Sequence, residues 1–328
     1  MVAPSVWVLA DDRAGNVNQA LGVAEALGLP YEVKDIRYTR FAALPNIVRG
    51  ASTLGLTDDS IKGLTAPWPE VVIGAGRRVA PVARWIKRQA GGRAFLVQVM
   101  RPAGLTPGAV GEFNLIAVPR HDKVDDILPT VLRITGAPHR VTPERLGREA
   151  ETWRDRFDGY PRPFIGVLVG GATKNRPFTT DMARDLAGKL RGLQTETGGT
   201  LLITTSRRTP AHVVDVLERE LPPPTWLYKV GSPGENPYFG LLSLSDALVV
   251  TGDSVSMCSE ACGTQGPVFI WAPQGFAAPK HERLHQELYR LGYAKPLTGG
   301  FIDWTHPPLN AARDIALAVR ENLGLEGR

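Results

Sequence analysis

Cysteine is almost missing from this chain: Cys258 and Cys262 are the only two in 328 residues. Their four-residue spacing puts both on one helix face. They read as packed thiols rather than as a disulfide or half of a metal site, and a cytoplasmic location is the simplest expectation. No apolar run approaches the ~20 residues needed to span a bilayer. The first ten residues lack a basic region ahead of their apolar stretch, so they read as a first strand rather than a signal peptide. Histidine is scarce, at six residues, and forms no constellation suggesting a triad. His281 and His285 lie four apart on an expected helix and could ligate zinc. With no obvious third ligand, they read as a surface or packing pair, and neither metal nor cofactor is expected. The chain also lacks a Walker A loop, a Gly-x-Gly-x-x-Gly fingerprint, a Gly-x-Ser-x-Gly elbow and a short tandem repeat.

What is present is a globular composition, with 43% hydrophobic and 22% charged residues. The length favours two domains. The net charge of +5 is unevenly placed: residues 1–150 hold 19 basic against 14 acidic side chains, and residues 151–328 hold 19 of each. The first half therefore suits an anionic partner, such as a phospholipid surface or a pyrophosphate-linked acceptor, or is simply a basic solvated face. No basic tract with interleaved aromatics points to nucleic acid.

Both halves alternate short apolar strands with amphipathic helices, which implies mostly parallel sheets. In the first half, strands are expected at 6–10, 31–36, 71–73, 94–99 and 115–118, with helices at 17–27 and up to 88. In the second, strands are expected at 164–169, 200–204, 227–230, 248–250 and 268–271, with helices at 180–193, up to 221, at 280–291 and at 309–323. The fold class is α/β, with two Rossmann-like domains facing a cleft. The expected domains are 1–140 and 164–328, the last helix packing back on the first domain. Gly136, Pro138, Pro143, Gly159, Pro161 and Pro163 mark a linker region at 141–163, which contains a helix at about 143–157.

Ligands of parallel α/β sheets bind at the C-terminal strand ends, and the polar loops of this chain fall there. The segment Ala247–Ala261 is the most informative. It reads as a buried strand, a sharp Gly252 turn, caps at Asp253 and Ser254, and then Ser256 and Glu260 on one helix face. Such a cluster can hold phosphates and hydroxyls of a nucleotide or sugar, or be an ordinary capped turn. Gly170, Gly171, Thr173 and Lys174 form a glycine loop with a mobile positive charge, or a plain turn. Ser206, Arg207 and Arg208 follow the next strand, where one arginine suits a phosphate and the other solvent. Asn236 and Tyr238 sit in a rigid loop that could border a nucleobase. In the first half, Asp12, Arg13, Gly15, Asn16 and Gln19 form an unusually polar turn, with Asn16 able to cap the helix. Gly76 and Arg77 belong to a second glycine loop suited to an anion.

Taken together, Asp11–Ala20, Gly74–Arg77, Gly170–Lys174, Asn236–Tyr238 and Val250–Ala261 resemble the mitochondrial-fission (elongated mitochondria) family in its bacterial type, over nearly the whole chain. More distantly, the plan is similar to GT-B glycosyltransferases. The resemblance implies a metal-independent glycosyltransferase that moves a sugar from a nucleotide-sugar donor to an anionic or lipid-linked acceptor. The donor would be held by Gly170, Gly171, Thr173, Lys174, Ser206, Arg207, Asn236, Asp253, Ser254, Ser256 and Glu260, with Glu260 on the ribose hydroxyls. The acceptor would be held by Arg13, Gly15, Asn16, Gln19, Gly76 and Arg77, in a basic first domain able to sit peripherally at the inner face of a membrane. The histidine base of that group is replaced by the polar loop, which makes Asp12 the candidate base. Two alternatives stand beside this reading: a noncatalytic membrane- or partner-binding protein on the same scaffold, and a nucleotide-sugar epimerase.

Overall fold

The computed structural model describes residues 4–123, 130–173 and 175–325. Lys174, part of the expected glycine loop, lies outside the described residues. The chain divides into two compact units. The first comprises Met1–Arg140 with Asn310–Arg328, and the second comprises Val141–Leu309. The first unit carries 20 basic against 15 acidic side chains and the second 18 of each, so the whole surplus of +5 belongs to the first.

The strands of the first unit are β1 (Val6–Ala10), β2 (Tyr31–Asp35), β3 (Val71–Ala75), β4 (Phe95–Val99), β5 (Leu115–Pro119) and β6 (Val131–Ile134). Those of the second are β7 (Phe164–Val169), β8 (Thr200–Thr205), β9 (Thr225–Tyr228), β10 (Ala247–Thr251), β11 (Val268–Trp271) and β12 (Lys295–Pro296). The helices of the first unit are α1 (Ala14–Leu27), α2 (Asn46–Arg49), α3 (Asp58–Lys62), α4 (Ala80–Gln89) and α5 (Pro107–Val110). In the second they are α6 (Pro143–Trp153), α7 (Thr180–Thr197), α8 (Ala211–Glu220), α9 (Tyr238–Leu244), α10 (Val255–Ala261) and α11 (Pro279–Arg290). The last, α12 (Ala311–Asn322), returns to the first unit.

Each unit is one parallel six-stranded sheet among the described residues, ordered β2-β1-β3-β4-β5-β6 and β12-β11-β10-β7-β8-β9. The central strands are continuous apolar runs and are wholly buried, as strands covered by helices on both faces must be. The charged segment Tyr-Glu-Val-Lys-Asp forms β2 and takes an edge instead. Strand order reverses direction between β1 and β3 in the first sheet and between β7 and β10 in the second. At such a reversal the two flanking loops leave in opposite directions and open a crevice at the strand ends.

Local chemistry sets the helix limits. Thr142, Thr179, Ser254 and Asn310 accept a first-turn N–H at the starts of α6, α7, α10 and α12. Left-handed Gly28 and Gly198 end α1 and α7. α12 buries Ala312, Ile315, Ala316 and Val319 in the same cluster as Val23, Ala24 and Leu27 of α1. Residues 141–163, rich in proline and glycine, are folded as part of the second unit. Within them, Arg145 of α6 lies 3.7 Å over the Phe239 ring, and Phe157 is buried with Phe164, Leu202 and Leu241.

Close backbone approach makes α1 sensitive to a single carbon. A Cβ on Gly22 would lie 2.5 Å from the His139 carbonyl oxygen, whereas one on Gly188, inside α7, would meet nothing within 4 Å. Gly22→Ala is therefore expected to destabilise the first unit by about 1–3 kcal/mol through overpacking. Gly188→Ala is expected to stabilise the second by about 0.5–1 kcal/mol through helix propensity. Urea denaturation midpoints check both signs.

Candidate functional site

The crevice of the second unit is floored by one carboxylate. Asp253 follows β10, and its side chain is 2% exposed. Its Oδ1 accepts from the Thr251 hydroxyl at 2.7 Å. Its Oδ2 accepts from the Gly171 N–H at 3.0 Å and from Arg208 Nη2 at 2.7 Å. The Thr251 hydroxyl in turn accepts from the Gly170 N–H at 2.7 Å. Thr209 adds a third tie, donating to the Val169 and Gly170 carbonyls. The loops after β7, β8 and β10 are thus closed into one network around Asp253. Burial of the carboxylate is offset by two charge-assisted or neutral donors and a guanidinium.

The two glycines are required by this closeness. A Cβ on Gly170 would fall 2.1 Å from Asp253 Oδ1, and one on Gly171 would fall 2.0 Å from the Arg208 carbonyl oxygen. Both arginines of the pair are exposed, and Arg208, with 42% of its side chain exposed, is the one that reaches Asp253. The cause is the tight turn closed by Thr209 N–H on the Ser206 carbonyl at 3.0 Å, whose successive residues point apart. Ser206 serves that turn, its Oγ accepting from the Arg208 N–H at 3.2 Å. Thr173 is exposed and bridges to Arg176.

Ser254, rather than Asp253, caps α10, accepting from the Met257 N–H at 3.3 Å. Ser256 is partly exposed in the first turn of α10. One turn on, Glu260 is buried and accepts a 2.5 Å hydrogen bond from the Tyr238 hydroxyl. Asn236 positions that tyrosine by accepting the Tyr238 N–H at 3.1 Å. Burial raises the Glu260 carboxyl to about 7, against smaller lowering by the Tyr238 hydrogen bond and Arg145. Burial, with the Glu260 charge, also raises the Tyr238 phenol well above its ordinary range, so the tyrosine remains the donor.

In the first unit, the reversal between β1 and β3 holds Asp11, whose side chain is 1% exposed. It accepts from the Arg13 N–H and from Asn16 Nδ2, each at 3.0 Å. Asn16 was a possible helix cap; instead α1 begins at Ala14, and Asn16 bonds Asp11. Gly76 has φ +84°, and a Cβ there would lie 2.7 Å from Asn16 Nδ2. Asp12 is 57% exposed and is held by both guanidinium nitrogens of Arg78, a partner the sequence reading passed over. Arg13 and Gly15 are exposed, and Gln19 is buried. Arg77 donates to the Leu44 carbonyl at 3.4 Å. The side chains brought together here are Asp11, Asp12, Asn16 and Arg78. A recess of about 650 Å³ bordered by Ser5, Trp7, Tyr31, Lys34 and Pro67 opens at the opposite, N-terminal strand ends of this sheet, away from these polar groups.

His281, Glu282 and His285 have the His-Glu-x-x-His spacing of a zinc helix; the expectation of a packing pair left Glu282 out of account. Among the described residues, however, no group of three or more His, Cys, Asp or Glu side chains could hold a metal ion. His285 is buried, with its ring where a Gly252 Cβ would be, and Glu282 is exposed. Added zinc or EDTA is therefore expected to leave the thermal midpoint unchanged.

Glu260 makes stability depend on pH. The unfolded carboxyl ionises near its ordinary 4.5 and the folded one at about 7. Its contribution is therefore fullest below about 4.5 and declines as pH rises through about 7, by about 3 kcal/mol at most. Glu260→Gln is expected to flatten this loss and to be the more stable form at about pH 8. Denaturation at about pH 5 and about pH 8 checks the sign.

Residues 14–323 match the family model described as Mitochondrial fission ELM1. The chain is 31% identical over 284 residues to the mitochondrial fission protein ELM1 of Arabidopsis thaliana, an alignment covering 79% of this chain and 65% of that protein. The chain thus spans under two thirds of that relative's length. It is 26% identical to an uncharacterised protein of Rickettsia prowazekii (strain Madrid E), covering 96% of this chain and 98% of the relative. Among solved structures, a putative UDP-N-acetylglucosamine 2-epimerase from Listeria monocytogenes superposes with a TM-score of 0.55 at 12% identity, covering 100% of this chain and 98% of that one. At that identity the likeness is one of fold, and the fold is GT-B-like. No helix among the described residues is long and apolar enough to cross a membrane. The chain belongs to the mitochondrial-fission ELM1 family.

Proposed function

We propose that this protein is a GT-B-like glycosyltransferase whose second unit binds a nucleotide-sugar donor. The observation that carries the reading is the closed network at Asp253, which fixes three glycine- and hydroxyl-bearing loops at the strand reversal. A crevice at that place is where open α/β sheets take nucleotides. The Listeria neighbour is named as a putative UDP-N-acetylglucosamine 2-epimerase, which supports a nucleotide-sugar ligand.

On this reading Gly170 and Gly171 let the diphosphate approach the backbone, and Ser254 and Ser256 offer hydroxyls beside it. Glu260 keeps Oε1 for a ribose hydroxyl while Tyr238 occupies Oε2. Asp253 does not face the phosphates as a ligand; its charge is consumed in holding the loops. Lys174 remains a phosphate contact by expectation. The acceptor is assigned to the basic first unit, with Arg13, Asn16 and Arg77 near the polar turn, and with peripheral membrane contact as one form of it. A base at Asp12 must first part from Arg78, which makes transfer conditional on acceptor binding.

The second reading is a noncatalytic partner- or membrane-binding protein. It is favoured by one observation, the family's name, which refers to mitochondrial fission rather than to sugar chemistry. A thermal-shift screen against UDP-, GDP-, CMP- and ADP-linked sugars separates the two. A donor present at 100 times its Kd is expected to stabilise the second unit by about 2.7 kcal/mol, and Arg208→Ala to weaken that response. A flat response to every donor would favour the noncatalytic reading.

A further inference from the structure

The loop after β11 and the start of α11 bring a second set of charged groups to the same strand ends. Arg176, returning from the glycine loop, donates to the Gly275 carbonyl at 2.7 Å and so ties that loop to the segment leading into α11. His285, in the second turn of α11, lies against Gly252: a Cβ there would be 2.5 Å from His285 Cε1. His281 is one turn nearer the start of α11 and on the same face. Its Nδ1 is buried and makes no hydrogen bond.

The charged groups that act electrostatically on His281 are Lys280, Asp253, Arg208 and Arg176. Three are cations and one is a carboxylate. That carboxylate already accepts from Thr251, Gly171 and Arg208. Lys280 is exposed and Arg176 is bonded to a neutral carbonyl. The surroundings of the imidazole therefore carry uncompensated positive charge. Burial first, and then Lys280, lower its pKa, which favours the neutral imidazole. A buried, unused ring nitrogen among cations is suited to a phosphate oxygen, which would supply both the missing partner and the missing negative charge.

We propose that Arg176, Arg208, Lys280 and His281 form an oxyanion subsite for the phosphate groups of the second unit's ligand, and that His281 takes up a proton from solvent as the anion binds. The inference rests on the donor-binding reading and deepens it by making binding proton-linked. Protonation converts the imidazole from one N–H donor into two, so the gain in charge and the new hydrogen bond arrive together. Affinity then falls as pH rises through the pKa of the bound state.

Inorganic pyrophosphate is the probe. Calorimetric titration of the whole protein in two buffers of different ionisation enthalpy reads both affinity and protons taken up. Near neutral pH, the wild type is expected to take up more protons than His281→Gln, by up to about one, and to bind several-fold more tightly. Because pyrophosphate titrates identically in both experiments, the difference belongs to the protein. Arg176→Ala and Lys280→Ala are expected to weaken binding about 3–10-fold with the thermal midpoint retained. Equal affinity and equal proton uptake in wild type and His281→Gln would overturn the proposal, as would unchanged affinity in the Arg176 and Lys280 variants. Pyrophosphate binding with proton uptake, but no tighter binding of any nucleotide sugar, would leave the subsite standing and remove the donor reading. Nucleotide-sugar binding unaffected by all three substitutions would do the reverse.

Discussion

The second unit depends on a buried carboxylate whose partners come from three different loops. Asp253 binds the hydroxyl of Thr251 two residues before it, the backbone of Gly171 and the guanidinium of Arg208. A carboxylate with 2% of its side chain exposed cannot be solvated, so each of these partners is needed. Removing Arg208 leaves the buried charge without its counter-ion, and removing a neutral donor leaves an oxygen short of a hydrogen bond, while the partners themselves fix the strand ends. The glycines at 170 and 171 follow from the same constraint, because the oxygens they approach leave no space for a Cβ.

The first unit repeats the device with different residues. Asp11 sits at its strand reversal, bound by the Arg13 backbone and by Asn16, and the left-handed Gly76 lies against the Asn16 amide. Both units therefore place a buried aspartate where strand order changes direction. They differ in what surrounds it. The first unit carries all of the chain's surplus positive charge, and its neighbouring Asp12 is exposed and paired with Arg78. The second is neutral overall, with Arg208 paired to its aspartate and Arg176 bonded to the Gly275 carbonyl.

Much of this was legible in the sequence because buried parallel strands announce themselves. Val6–Ala10, Phe164–Val169 and Val268–Trp271 are continuous apolar runs, and their limits follow directly from that pattern. Edge elements were less legible. Residues Val131–Ile134 and Lys295–Pro296 are short and pair on one side only, so they carry little periodic signal. At the site, the loops were readable but their internal partners were not. Which of Arg207 and Arg208 reaches Asp253 is decided by the Ser206–Thr209 turn. Arg78 reaches Asp12 from 66 residues away, and Tyr238 reaches Glu260 from 22 away. Such pairings depend on strand order, which local patterns do not encode. The histidines of α11 show the opposite case: a spacing that suggests zinc is present, but the third ligand that zinc would need is not assembled.

On the proposed function, the strand ends of the second unit, organised by Asp253, receive a phosphate-bearing nucleotide. Amide hydrogen exchange with and without a UDP-linked sugar tests it most directly. Slowed exchange is expected at 170–173, 206–209 and 251–256, with little change along β2 or α12. Protection confined to the first unit, or absent throughout at saturating nucleotide sugar for each base, would contradict it.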